Sequence, residues 1–298
     1  MTDSGWYRHQ YFSARGYRAR VVLGPGAADP EQDENGHGTG ESANLFAVAP
    51  DVDLTMVKLS FVNTIGGFNA AVALAPHIIS SSWGSNVAAG PLSAADQALA
   101  ASIAVAVAQG ISVVFSAGNG DFGFPGQHPD VIAAGGVYLD RDGRVRASDY
   151  TSGFASVVYP GRTVPDVCGL VGEQPKATYI MLPVPPGSVL DGTRGGGDFP
   201  AQDATATNDG WAAFSGTSAA APQVAGGVAL VRQACPSLQP RAIRDVLLAT
   251  ARDIVAGTGA SGAAARPGRD LATGAGLLDV HAATTLARLV CPRSWWGP

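Results

Sequence analysis

Short apolar runs alternate along this chain with longer helical patterns, and this alternation constrains the fold more than any other feature. Runs rich in apolar and β-branched residues predict strands at 53–59, 77–81, 112–116 and 131–137. Helical patterns occur at 68–75, 94–108, 217–232, 240–251 and 279–289. Parallel strands joined by helices are covered on both faces, so they read as continuous apolar runs. The pattern predicts a three-layer α/β fold with a mainly parallel central sheet and helices on both faces.

Composition narrows the class of protein further. With 298 residues, of which 46% are hydrophobic, we expect residues 1–298 to form one domain with a sizeable core. The formal net charge of −5 argues against a nucleic-acid partner, because such proteins carry a basic excess. The uncharged stretch 98–117 is broken at Gln109 and Gly110 and then turns β-branched, so it predicts helix, turn and strand. A membrane span needs ~20 strongly apolar residues, and we expect none here.

The cysteines and one irregular segment leave alternatives open. An odd count, Cys168, Cys235 and Cys291, cannot form a closed disulfide framework. Cys235 and Cys291 could pair, although three reduced thiols in apolar surroundings is the interpretation we favour. No Cys/His cluster has metal-ligand spacing, so we expect neither a metal nor a cofactor. The segment 185–209, rich in Gly, Pro and Asp, predicts either a surface excursion or a functional loop.

Four short polar motifs interrupt the apolar pattern, and each contains a residue that could take part in catalysis. They are DSG at 3–5, HGT at 37–39, SAGNG at 116–120 and FSGTSAAAP at 214–222. Ser218 opens a helix, so its backbone N–H is an orphan donor that can bind an oxyanion. Its hydroxyl is a weak nucleophile until a base such as His37 takes the proton. Asp3 could fix the His37 tautomer, and the Asn119 amide could donate to an oxyanion, although DSG and Asn-Gly are also common turns.

The order Asp, His, Ser within these motifs resembles the subtilases, the subtilisin-like serine peptidases, from Asp3 to about residue 283. The resemblance implies that Asp3 orients His37, that His37 is the general base, that Ser218 is the nucleophile and that Asn119 is the oxyanion donor. The implied reaction is endopeptidase hydrolysis of polypeptides through an acyl-enzyme. It also implies secretion or a cell-envelope location, although the N-terminal residues contain no apolar core of a signal peptide.

The resemblance also implies where a substrate would lie. Residues Ser82, Trp83 and Gly84 would bind its backbone as an added strand. Residues 64–66 would form the opposite side of the cleft. The pocket for the residue before the scissile bond would be lined by Ala117, Gly118 and Gly123. Trp83 could equally be a core aromatic.

The chain also departs from the family pattern. Only Met1 and Thr2 precede Asp3, so we expect the apolar strand that usually leads into this Asp to be missing. Gly40 follows HGT where the family commonly has a second His. The segment from His37 to residue 50 is short, so we expect no calcium-binding loop there. The short stretch 119–125 predicts a small rim around the specificity pocket.

Two other functions compete with the endopeptidase. The sedolisins, acid-active relatives, share a Ser near a GTS stretch but use a Glu base, and His37 within HGT argues against them. The other is a peptide-binding pseudoprotease, impaired by the missing strand. The presence of Asp3, His37, Asn119 and Ser218 together argues against this second alternative.

Overall fold

The computed structural model describes residues 1–175 and 179–291. Its strands are, in chain order, β1 Thr2–Asp3, β2 Ala19–Leu23, β3 Leu54–Lys58, β4 Ile78–Ser81, β5 Ser85–Asn86, β6 Ser112–Ser116, β7 Gly123–Phe124, β8 Val131–Leu139, β9 Val145–Ala147, β10 Phe154–Ala155, β11 Thr163–Val164, β12 Val167–Leu170, β13 Met181–Pro183 and β14 Trp211–Ala213. Its helices are α1 Gln10–Arg15, α2 His37–Val48, α3 Thr64–Ala73, α4 Ala94–Ala108, α5 Val189–Arg194, α6 Thr217–Ala234, α7 Pro240–Thr250 and α8 Val280–Val290.

A parallel sheet forms the centre of the molecule. Its strand order is β12-β8-β6-β4-β1-β3-β2, and every neighbouring pair along this path is parallel. Strand β9 adds to β8 in the antiparallel sense. The predicted parallel sheet is confirmed, and the carboxyl ends of its strands meet at one edge, where the functional motifs follow.

Alternation along strand β6 shows how the three layers form. Val114 belongs to the core cluster that contains residues of α2, α6, α7 and α8. Its neighbours Val113 and Phe115 belong to a second cluster with Phe68 of α3 and Ile103 of α4. Successive side chains of a strand point to opposite faces, so both faces of this sheet are buried under helices. The predicted three-layer fold is therefore confirmed.

Strand β1 corrects the expectation that no strand leads into Asp3. Thr2 and Asp3 pair with Val57 and Lys58 of β3, and Thr2 also pairs with Ser81 of β4. The carbonyl oxygen of Met1 accepts a hydrogen bond from the Val57 N–H at 2.8 Å. In a parallel ladder, alternate residues of a strand form the hydrogen bonds to each neighbouring strand. The few residues of β1 are therefore enough to fill the position between β3 and β4.

Helix α2, which the sequence patterns did not predict, begins at His37 and continues without interruption to Val48. Helix α3 begins earlier than predicted, because the Asn63 side chain caps it by accepting from the Gly66 N–H at 3.0 Å. Residues 64–66 are therefore the first turn of a helix rather than an extended side of a cleft. The helix, turn and strand expected in 98–117 are present as α4 and β6. None of the described helices is long and apolar enough to span a membrane.

Most residues of the segment 185–209 are exposed, as expected for a surface excursion, and the segment is also held against the domain. It lies between the antiparallel strands β13 and β14 and contains helix α5. The N–H groups of Val189 and Leu190 donate to the carbonyl oxygens of Glu34 and Asn35, both at 3.0 Å. The segment therefore covers the loop that leads into His37.

A disulfide joins Cys235 and Cys291, whose sequence separation is 56. It connects the end of α6 to the end of α8. Cys168 is buried and free, and its burial raises the pKa of its thiol. The expectation of three reduced thiols is therefore wrong for Cys235 and Cys291.

Replacing both bonded cysteines tests how much this disulfide contributes to stability. We expect the Cys235→Ser, Cys291→Ser double variant to lose ~2–4 kcal/mol of unfolding free energy, because closing a long loop restricts the unfolded chain. Chemical denaturation measures the loss, and thiol titration of the unfolded wild type should find one reactive cysteine before reduction. Three reactive thiols without reductant would contradict the disulfide.

Candidate active site

A buried carboxylate fixes the start of helix α2. Asp33 accepts hydrogen bonds from the backbone N–H of Gly36 at 3.0 Å and of Thr39 at 2.9 Å, and from the Thr39 hydroxyl at 2.6 Å. The first N–H groups of a helix have no partner within it, and the helix dipole favours a negative charge there. Asp33 therefore determines where α2 begins, and it makes His37 the first residue of the helix.

Asp3, at the end of β1, contacts the His37 ring directly. Its Oδ1 lies 2.8 Å from His37 Nδ1, and it also accepts from the Ser4 N–H at 2.7 Å. A side chain at Gly38 would overlap the Gly5 carbonyl oxygen, so this glycine permits β1 and α2 to approach. The Asp3 side chain is 3% exposed and that of His37 is 25% exposed. The pair is thus shielded on the Asp3 side and open to solvent on the His37 side.

The surrounding charges favour the protonated form of His37. Burial lowers the pKa of the ring, but the charge and hydrogen bond of Asp3, with smaller contributions from Glu41 and Asp33, raise this pKa to about 9. Among the described residues, no lysine or arginine forms an ion pair with these three carboxylates. The ring therefore becomes a free base only at alkaline pH.

Ser218 lies in the first turn of α6. Its hydroxyl donates to the carbonyl oxygen of Ser82 at 3.4 Å, and the Ser82 hydroxyl donates to the carbonyl oxygen of Ser218 at 2.9 Å. No hydrogen bond joins Ser218 to His37 within the described part of the chain. The His37 ring centroid is 6.0 Å from that of Phe214, in the segment that leads into α6. Catalytic hydrogen bonds are often long or unformed before substrate binds.

The orientation of the Asn119 amide is fixed by hydrogen bonds from Thr217. Its Oδ1 accepts from the Thr217 N–H at 2.9 Å and from the Thr217 hydroxyl at 3.1 Å. Because these groups donate, Nδ2 points the other way. The position that a Cβ on Gly216 would occupy is 3.2 Å from Asn119 Nδ2 and 3.7 Å from Ser218 N. Asn119 Nδ2 and Ser218 N therefore both lie beside Gly216, and two N–H donors placed together can stabilise an oxyanion.

The loop that bears Asn119 is held by its own polar contacts. Asp121 Oδ1 accepts from the Asn119 N–H at 2.9 Å, and Ser152 Oγ accepts from the Gly120 N–H at 2.9 Å. A side chain at Gly118 would overlap the Asp121 carboxylate. Gly118 has φ of +110°, a conformation that glycine adopts readily. These contacts fix the direction in which the Asn119 side chain leaves the loop.

Ser82, Trp83 and Gly84 follow β4 at the carboxyl edge of the sheet. The Trp83 indole N–H donates to the Thr2 hydroxyl at 2.9 Å, and the ring packs edge-on against Phe115 with centroids 5.1 Å apart. The Trp83 side chain is therefore anchored to β1 and the core. This contact agrees with the alternative in which Trp83 is a core aromatic.

The expected pocket residues lie close together, with little space between them. A Cβ on Gly84 would be 2.5 Å from the Phe124 carbonyl oxygen, and one on Gly123 would overlap the Ala117 carbonyl oxygen. Strand β7, Gly123–Phe124, pairs with β5 immediately after Gly84. Glycine at these positions therefore permits the backbones to pack directly beside the Asn119 loop.

The sequence patterns missed three residues that shape this site: Asp33, Thr217 and Glu41. Glu41 is 0% exposed, and its Oε1 lies 3.8 Å from His37 Nε2. Its position four residues after His37 would place it on the same helical face, a signal that was usable only if α2 had been predicted. In the described residues, no cluster of three or more His, Cys, Asp or Glu side chains is arranged to hold a metal ion.

Comparison with known proteins places this chain in a family. The subtilase family model matches residues 2–276. Alkaline elastase YaB of Bacillus sp. (strain YaB) is 28% identical over 301 residues, which cover 95% of this chain and 63% of that protein. Subtilisin Savinase of Lederbergia lenta is 27% identical over 303 residues, covering 95% of this chain and 89% of that protein. The chain thus spans less than two thirds of the length of alkaline elastase YaB but most of the length of Subtilisin Savinase.

A solved structure supports the same fold. Pseudomonas sedolisin, described as a serine-carboxyl proteinase, has a TM-score of 0.67 and 20% identity, covering 97% of this chain and 92% of that chain. At this identity the likeness concerns the fold alone. The family model matches nearly the whole chain, so the chain belongs to the subtilase family.

Substitution of Gly216 tests whether the two N–H donors beside it form an oxyanion site. We expect Gly216→Ala to lower kcat by ~10²–10³, the loss typical of removing one oxyanion donor. The added methyl would stand 3.2 Å from Asn119 Nδ2, and φ at this residue is +146°. Gly143→Ala is the matched control, because Gly143 has φ of +78° but nothing within 4 Å of an added Cβ. A folded Gly216→Ala protein with unchanged kcat would refute the assignment of this oxyanion site.

Proposed function

We propose that this protein is a serine endopeptidase that hydrolyses polypeptides through an acyl-enzyme on Ser218. The observation that carries the proposal is the position of Asn119 Nδ2 and Ser218 N, which both lie beside Gly216. The Asp3–His37 pair, beside the segment that leads into α6, supports it. The matched relatives that bear protease names agree with this chemistry.

The proposed reaction assigns one role to each group. His37 Nε2 accepts the Ser218 proton as Oγ attacks the carbonyl carbon of the scissile bond. Asn119 Nδ2 and Ser218 N donate to the oxyanion of the tetrahedral intermediate. His37 then protonates the leaving amine, and water attacks the acyl-enzyme with His37 again as base. Asp3 holds the imidazole tautomer and stabilises the imidazolium.

The substrate would lie along the carboxyl edge of the sheet. Its backbone would pair with residues Ser82, Trp83 and Gly84 as an added strand, a mode that relies on main-chain hydrogen bonds. The pocket for the residue before the scissile bond would be formed by Ala117, Gly118 and Gly123. The close packing at Gly84 and Gly123 favours a shallow pocket.

One observation favours a second candidate, a peptide-binding pseudoprotease. Within the described residues, the Ser218 hydroxyl bonds to the Ser82 carbonyl oxygen and not to His37. The same cleft could then bind a peptide without cleaving it. The serine substitution below separates the two functions.

We also propose a secreted or cell-envelope location. The Cys235–Cys291 disulfide supports it, because such bonds persist in oxidising compartments and are rare in the cytosol. Detection of the oxidised protein outside the cytosolic fraction tests this location.

Removal of the nucleophile is the first test of function. We expect Ser218→Ala to lower kcat on a peptide substrate by up to ~10⁶, the loss known for a serine peptidase nucleophile. Ser102→Ala, on helix α4 outside the site, should retain wild-type turnover. Equal turnover in folded Ser218→Ala would disprove the acyl-enzyme. If wild type binds peptides but cleaves none, the pseudoprotease is correct.

The pH dependence of kcat/KM is the second test. His37 must be neutral to accept the Ser218 proton, and its pKa is raised to about 9. Activity should therefore rise with pH and reach its plateau only above this value. A pH profile on a peptide anilide measures the midpoint of the acidic limb. A midpoint at or below the ordinary histidine value of ~6.5 would contradict the raised pKa.

A further inference from the structure

The reaction proposed above gives no role to Glu41, although this carboxyl is buried inside the site. It lies one helical turn after His37 on α2 and is 0% exposed. Its Oε2 accepts a hydrogen bond from Asn44 Nδ2 at 2.8 Å. Its Oε1 is buried and has no hydrogen-bond partner. His37 Nε2 lies 3.8 Å from this oxygen.

A purely structural role explains Glu41 poorly. Its described polar contacts are Asn44 at Oε2 and His37 near Oε1. Burying a carboxyl with one unpaired oxygen costs ~1–3 kcal/mol or more, and an apolar side chain would fill the same place without that cost. Burial raises the pKa of Glu41 to about 7, against the opposing effects of the His37 charge and the Asn44 hydrogen bond.

The two ring nitrogens of His37 thus face two different carboxyls. Asp3 contacts Nδ1 at 2.8 Å, and Glu41 approaches Nε2 at 3.8 Å. Nε2 is the atom that must accept the Ser218 proton if the proposed function is correct. A protonated ring would direct its Nε2–H toward the Glu41 carboxylate, and Ser218 would then lack its acceptor.

We propose that Glu41 is a positioning residue, a second carboxylate that pairs with the Nε2–H of His37 and so competes with Ser218 for this edge of the ring. The proposal rests on the peptidase function proposed above. At neutral pH the Glu41 carboxylate pairs with the imidazolium. As the pH rises, His37 releases this proton to solvent, and the free Nε2 can accept the proton of Ser218.

Asp3 raises the pKa of His37 more than Glu41 does, but among the described residues Glu41 is the carboxyl that acts at the Nε2 edge. The titratable groups that face His37 are Asp3 from β1, Asp33 from the preceding loop and Glu41 from its own helix. Helix α6 has no acidic residue in its first turn, and β13 consists of Met181–Pro183. Asp3 contacts the opposite nitrogen. Among the carboxyls of the described residues, Glu41 is therefore the one that forms an ion pair with His37 Nε2.

Direct titration of the His37 ring tests the proposal without requiring turnover. We would follow the ring carbons by NMR in full-length protein labelled at histidine, with His37→Gln to assign the signal. Glu41→Gln keeps the size of the side chain and an oxygen for Asn44 but removes the charge. We expect the His37 midpoint to fall by ~1 pH unit or more, since one unit corresponds to the free energy of a single well-placed charge. Glu31→Gln, at an exposed carboxyl, is the matched control and should leave the midpoint unchanged.

The pH profile of kcat/KM gives the second measurement. In Glu41→Gln its acidic limb should move to lower pH by the same amount, so that activity well below the wild-type midpoint rises ~10-fold per unit. An unchanged or raised His37 midpoint in a folded variant would overturn the proposal. If Glu41→Gln does not fold, Glu41→Met removes the carboxyl without needing a partner, and the same outcomes apply. A lowered midpoint without turnover in either protein would refute the peptidase function but not the contact between Glu41 and His37.

Discussion

The site depends on one close approach, between the end of strand β1 and the start of helix α2. Asp3 Oδ1 reaches His37 Nδ1 at 2.8 Å because Gly38 has no side chain to strike the Gly5 carbonyl oxygen. Ser4 reinforces the junction by accepting from the Gly38 N–H at 2.9 Å. The sheet supplies one partner and the helix the other, so the pairing of β1 with β3 and β4 positions the carboxylate as well as completing the ladder.

The charges around this junction are unbalanced. Asp3, Asp33 and Glu41 all lie near His37, and none of them forms an ion pair with a lysine or arginine in the described parts of the chain. An imidazolium is the cation that relieves this excess, which is why the pKa of His37 rises despite its burial. Asn119 Nδ2 and Ser218 N, the two donors of the proposed oxyanion site, both lie beside Gly216.

Local patterns predicted the parts of the fold that local forces determine. Helix α4 and strand β6 match their predicted bounds, because an apolar helix capped by Ser93 and a β-branched run carry clear signals. Strand β1 could not be predicted, since its two residues are held by partners far away in the sequence. Helix α2 was missed because Gly38, Gly40 and polar residues hide its period, and its cap, Asp33, acts from outside the helix. Because α2 was not predicted, Glu41 could not be placed beside His37. The disulfide could not be predicted either, because it depends on how α6 and α8 pack together.

Covalent labelling of the intact protein tests the central claim most directly. A fluorophosphonate reacts with a serine hydroxyl only when a base and an oxyanion site activate it, so the reagent reads the whole arrangement at once. Peptide mapping by mass spectrometry after labelling at alkaline pH should find one adduct, on Ser218. A natively folded protein that remains unlabelled, or one that is labelled on a different residue, would contradict the account.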